Sequence, residues 1–133
     1  MTTYVDTNVL IDLLEPDSQH HAWSTAAVEK AKAVGPILVS DAVYSEFSIS
    51  METEDQANEV LETLSFSRCG YSDQALFRAG KAYAQYRQNL GTKLNVLPDF
   101  YIGAQADVDG VPVLTRDPGK LGTYFPNVAL ITP

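Results

Sequence analysis

Apolar residues in this chain come in two rhythms, short solid runs and helical stripes, and their alternation predicts the fold. Residues 2–5 read as a short buried strand that leads directly into a helix over residues 7–14, which Glu15-Pro16-Asp17 breaks. Ser18 is placed to cap the next helix, where Trp23, Ala27, Ala31 and Val34 recur at helical spacing until Gly35-Pro36 ends the pattern. Ile37-Leu38-Val39 is a compact second strand, and a helix follows from Ser40-Asp41 through Glu46 to about residue 50. A further helix begins near Thr53, with Glu54 and Asp55 in its first turn and a stripe of Ala57, Val60, Leu61 and Leu64. Residues 66–69 read as a third strand. Ser72 caps a long helix whose apolar face is Ala75, Ala79, Tyr83, Tyr86 and Leu90, with Gly91 as its stop. Pro98 opens a helix to about Asp109, and residues 111–114 and 128–131 are the last two strands.

Short apolar strands alternating with amphipathic helices predict an α/β fold, a three-layer α/β/α sandwich around a central parallel sheet of four to five strands. The 133 residues suit a single domain spanning 1–133, and no repeat, low-complexity tract or linker interrupts it. In such sheets ligands bind beyond the carboxyl ends of the strands. That rule draws attention to Asp6 and Asp117, each just past a strand, and to Glu46 on the helix after the second strand.

Composition narrows the function. Nine basic against seventeen acidic side chains give a formal charge of −8, which argues against non-specific wrapping of nucleic acid. It leaves room for a nucleic-acid enzyme whose acidity is cancelled locally by metal, and it suits a basic protein partner. The one cysteine, Cys69, excludes an internal disulfide framework and a cysteine-based zinc site. No apolar run approaches the roughly 18 residues of a membrane span, and the first residues lack a signal-peptide pattern. The expected location is the cytoplasm.

Four carboxylates, Asp6, Glu46, Asp99 and Asp117, are the candidate chemistry. Each also has a plainer reading: Asp6 as a helix N-cap, Asp99 as a first-turn acid, Asp117-Pro118-Gly119 as a turn, and Glu46 as a solvated helix residue. Taken together at one sheet edge, they form an acidic pocket that a divalent cation would have to neutralise, and that points to a Mg²⁺- or Mn²⁺-dependent hydrolase acting on phosphates. Asp99 lies among Leu97, Phe100, Tyr101 and Ile102, and the small Gly103 and Ala104 one turn later are expected to leave room above it. Val43 and Phe47 imply that the Glu46 helix is largely buried. Arg116 is a candidate contact to the scissile phosphate, with a local ion pair as its alternative. Lys93 and Lys120 are weaker candidates for RNA contact, His20 and His21 receive no role, Tyr83 and Tyr86 read as core or interface, and Asp107 and Asp109 as surface acids.

Four stretches resemble the PIN-domain ribonucleases, in particular the VapC-type toxins of toxin–antitoxin pairs. They are Tyr4-Val5-Asp6-Thr7-Asn8-Val9-Leu10, the span from Val39-Ser40 through Ser45-Glu46-Phe47, Leu97-Pro98-Asp99-Phe100-Tyr101-Ile102-Gly103-Ala104, and Leu114-Thr115-Arg116-Asp117. The tail Tyr124-Phe125-Pro126 is similar to one VapC subgroup. The resemblance implies that Asp6, Glu46, Asp99 and Asp117 are catalytic acids that bind metal, with Asn8 and Thr115 orienting them by hydrogen bonds. It further implies a metal-dependent endoribonuclease acting on RNA, a homodimer, and a cognate antitoxin for which Leu10, Leu13 and Leu14 would offer a groove. A non-catalytic PIN-fold scaffold is the alternative, which would not need four converging acids.

Overall fold

The computed structural model describes residues 1–89 and 97–133. Five parallel strands, β1 (Thr3–Val5), β2 (Ile37–Ser40), β3 (Ser67–Cys69), β4 (Val113–Leu114) and β5 (Leu130–Ile131), form one sheet in the order β3-β2-β1-β4-β5. Helices α1 (Thr7–Leu14), α2 (His21–Lys32), α3 (Asp41–Ser48), α4 (Glu54–Leu64), α5 (Asp73–Gln88), α6 (Leu97–Asp109) and α7 (Gly119–Tyr124) flank it. The expected α/β sandwich is the observed one. β1 is buried along its whole length, as a central strand covered on both faces must be.

β1 pairs with β2 at Thr3↔Ile37 and with β4 at Tyr4↔Val113. The chain therefore builds outward from β1 in one direction, then crosses to add β4 and β5 on the other side. The crevice at the carboxyl ends of β1 and β4 is the switch point where such sheets take ligands. Asp6 leaves β1 at that crevice, and Thr115 leaves β4. Among the described residues, no helix is long and apolar enough to cross a membrane.

Local sequence sets most of these boundaries. Ser40, Thr53 and Ser72 each occupy an N-cap in extended conformation and accept a backbone amide, from Val43, Gln56 and Ala75 respectively. The second helix departs from expectation. It starts at His21 rather than after Ser18, because Ser18 is spent on a turn: its hydroxyl accepts the His20 amide and its carbonyl accepts the His21 amide. Ser24, Val28 and Ala31 are its buried positions, while Val34 lies exposed beyond the helix end. Tyr83 and Tyr86 pack on Phe100, as core side chains do. Asp109 is no plain surface acid, since it accepts hydrogen bonds from the Tyr4 hydroxyl at 2.8 Å and the Gln105 amide at 3.0 Å. Leu90, Gly91 and Lys93 lie outside the described residues.

Helix α7 was not foreseen, and it changes the reading of Gly103. A Cβ at Gly103 would overlap the Phe125 ring, with Cε2 at 2.7 Å, and Leu121 Cδ2 at 2.8 Å. The space left by this glycine holds α7 and the residue after it against α6. It is not room for an ion above Asp99. Gly103→Ala should therefore destabilise the protein by about 2 kcal/mol through overpacking, whereas Gly80→Ala, where a Cβ meets nothing within 4 Å on α5, should stabilise it by about 0.5–1 kcal/mol. Urea unfolding midpoints of the two variants check the contrast, and equal effects would contradict the packing.

Candidate active site

Asp6 is the hub of the crevice. It is both the N-cap of α1 and a nearly buried acid, only 6% exposed. Its Oδ1 accepts the Thr7 backbone amide at 2.7 Å, and its Oδ2 accepts the Thr115 hydroxyl at 2.8 Å and the Asn8 side-chain amide at 3.5 Å. Burial pushes its carboxyl up from the ordinary range, the Thr115 and Thr7 hydrogen bonds pull it back, and the Asp117 charge raises it further. The cap and the charged site are thus one arrangement, not alternatives.

The loop after β4 is fastened to the same point. Thr115 Oγ1 also accepts the Asp117 amide at 3.0 Å, and Asn8 Oδ1 accepts the Arg116 amide at 3.2 Å. Asn8 and Thr115 thereby touch both Asp6 and the segment carrying Asp117. Asp117 itself is exposed, and its Oδ1 accepts the Gly119 amide at 3.4 Å, a turn bond that starts α7. Glu46 reaches in from α3. It is half-buried, and its Oε1 accepts the Thr7 hydroxyl at 3.0 Å. Burial raises its carboxyl, Thr7 opposes the rise, and the Asp6 charge adds to it.

Asp99 shows that the four acids share one field. Burial pushes its carboxyl up to about 6, with the Asp6, Glu46 and Asp117 charges adding to the rise and Lys120 countering it. Among the described residues, Asp99 makes no ion pair. The other three acids act on this position from three different segments of chain.

Oxygen-only donors of this kind suit a hard divalent ion. Among the described residues, no three or more His, Cys, Asp or Glu side chains are grouped closely enough to hold a metal ion by themselves. Mg²⁺ dehydrates reluctantly and is commonly held by one or two carboxylates with several waters retained. The donor set fits such an ion. Asp6 and Asp99 would be its principal holders, with Asp117 next and Glu46 acting partly through water.

Three residues around the site, Thr7, Asp12 and Ser24, escaped the sequence reading. Thr7 bridges Asp6 and Glu46. Asp12, buried on α1, receives Arg116 through Nε at 2.5 Å and Nη2 at 3.2 Å, and Ser24 donates to it at 2.7 Å. Arg116, the candidate phosphate contact, thus has its guanidinium committed to an ion pair far away in sequence. Lys120, a weaker candidate for RNA contact, is half-buried near Asp99. A signal for Asp12 was present: an acid inside the apolar run Val9-Leu10-Ile11-Asp12-Leu13-Leu14 needs a buried partner.

Comparison with known proteins agrees with this architecture. A family model for the PIN domain matches residues 3–124. No curated protein matches the chain. Solved structures similar to it include VapBC-1 from nontypeable Haemophilus influenzae, at 15% identity and a TM-score of 0.72, covering 99% of this chain and 98% of that one. VapBC2 from Rickettsia felis, bound to a DNA fragment from its promoter, aligns at 18% identity and a TM-score of 0.68, with 99% and 98% coverage. A toxin–antitoxin complex from Klebsiella pneumoniae aligns at 23% identity and a TM-score of 0.67, covering 98% and 97%. At these identities the likeness is one of fold.

The raised Asp99 carboxyl gives a pH dependence with a definite sign. The folded, metal-free protein holds this proton up to about pH 6, against an ordinary value of 3.8. The resulting stabilisation is complete below the ordinary value and is lost as pH rises through about 6. Asp99→Asn should therefore gain stability relative to the wild type as pH is raised from 5 to 7, read as the difference in urea midpoints in EDTA. A difference that stays constant over that range would show that Asp99 does not sit in the field of the other acids.

Proposed function

This chain belongs to the PIN domain family, and on that premise we propose that it is a Mg²⁺- or Mn²⁺-dependent endoribonuclease, the toxin of a VapBC-type toxin–antitoxin pair. The observation that carries the reading is the Asp99 carboxyl, pushed up first by burial and then by the Asp6, Glu46 and Asp117 charges, with Lys120 opposing them. A structural cluster would gain nothing from such repulsion. A site that gathers a divalent cation makes use of it.

A divalent ion held at these carboxylates supplies a bound water of lowered pKa and a Lewis acid for the phosphodiester. The chain's own residues set the stage. Asp6 is fixed through both oxygens, so the point of charge is defined before substrate arrives. Thr115 and Asn8 hold the loop of Asp117 against it. Thr7 keeps Glu46 turned toward Asp6 through one oxygen, leaving the other to accept a proton from an attacking water. Hydrolysis would be an in-line attack on phosphorus, and RNA is the substrate class by family.

The partners follow from the relatives. Each of the three solved neighbours contains a toxin–antitoxin or VapBC assembly, which supports a cognate antitoxin for this chain as well. Of the three leucines nominated for its seat, Leu10 is core, whereas Leu14 lines a groove of about 300 Å³ with Val60 and Leu64. A homodimer is part of the same reading, and exposed Leu76 and Phe77 on α5 offer apolar surface for it. The cytoplasm is the natural setting for an enzyme of this class.

Incubation with total cellular RNA and Mn²⁺ should give discrete cleavage products, EDTA should abolish them, and Asp6→Ala should reduce the rate at least about 100-fold. Equal cleavage by the Asp6→Ala protein would sink the proposed mechanism.

A further inference from the structure

Four acids that gather a cation also repel the phosphodiester, so a second positive group at the crevice would aid the reaction proposed above. The chain is poor in such groups, and most are committed elsewhere. Arg68 is paired with Asp41 at 2.6 Å, Arg78 with Asp107 at 2.8 Å, and Arg116 with Asp12 at 2.5 Å. The Lys32 ammonium donates to the Leu64 carbonyl at 2.8 Å, and Lys81 lies 5.3 Å from the Phe77 ring centre.

Lys120 is different. It stands in the first turn of α7, two residues past the Asp117-Pro118 turn, and directly before Leu121. Leu121 occupies the space above Gly103, which lies four residues beyond Asp99 and so on the same face of α6. The packing that excludes a side chain at Gly103 therefore brings the start of α7 beside the turn that carries Asp99. Lys120 is half-buried there, and among the described residues it makes no ion pair or hydrogen bond. A long, flexible stem ending in a compact ammonium suits brief contact with a phosphate oxygen.

We propose that Lys120 is a substrate contact, its ammonium donating to a non-bridging oxygen of the scissile phosphodiester, the role for which Arg116 is unavailable. The inference rests on the nuclease reading. The Gly103 packing fixes its location, and Arg116 serves as a positioning residue that holds the loop on α1.

Wild type, Lys120→Gln and Lys120→Arg are compared in Mn²⁺ on total cellular RNA under single-turnover conditions. Lys120→Gln should lose about 100-fold in rate, Lys120→Arg should stay within about fivefold of wild type, and the Mn²⁺-induced rise in melting temperature should persist in both. The dependence of log kcat/KM on log salt should flatten by about 0.7 in Lys120→Gln, the share of one phosphate contact on a single strand. Wild-type cleavage with Lys120→Gln equally active overturns this inference and leaves the nuclease reading standing. Loss of the Mn²⁺-induced stabilisation in Lys120→Gln, or failure of Lys120→Arg to restore activity, also overturns it, because Lys120 would then act on the fold or the ion site. RNA left intact by the wild type defeats the nuclease reading, and this inference with it.

Discussion

Asp6 is held almost out of water within reach of three other acids, and the rest of the site is arranged around that expense. A buried carboxylate is tolerable only if its oxygens are satisfied. Here the Thr7 amide supplies one side, and Thr115 and Asn8 the other. Those same donors belong to the start of α1 and the end of β4. Satisfying Asp6 therefore also joins the two strands at whose carboxyl ends the crevice opens. The repulsion that remains is countered only in part, by the charges of Lys120 and of Arg116, and Arg116 is already paired with Asp12. On the proposed reading, a cation takes up the rest.

The crevice is supported from two directions. On one side Arg116 and Asp12 tie the loop after β4 to α1, with Ser24 of α2 completing the acid's hydrogen bonding. On the other, Leu121 of α7 and Phe125 after it pack into the gap at Gly103, one turn beyond Asp99 on α6. Neither support touches the central carboxylate. Both determine where the groups that face it can stand, so the geometry depends on residues without chemistry of their own.

Much of this was legible in the sequence, for identifiable reasons. Helix α1 follows Asp6 directly and ends before Glu15-Pro16, so its limits were written in cap and breaker residues. The alternation of short apolar runs with helical stripes required a parallel sheet, and the strand-end rule then pointed to Asp6, Asp117 and Glu46, while Asp99 was added by its apolar surroundings and by the resemblance to PIN domains. What escaped were pairings decided by tertiary distance. Arg116 and Asp12 stand 104 positions apart, and nothing local says that they meet. Ser18 had the chemistry of a cap, but its hydroxyl serves the turn before the helix. Gly103 was read as empty space because α7, only six residues long, carries too weak a periodic signal to show what fills it.

The central claim is that these four carboxylates form one metal site. Anomalous diffraction at the manganese edge, from crystals of the wild-type protein grown in MnCl₂, tests it most directly. The account predicts a peak in the crevice bounded by Asp6, Asp99 and Asp117, with Glu46 beside it. Manganese bound elsewhere with that crevice empty, at a concentration that supports cleavage, would contradict it.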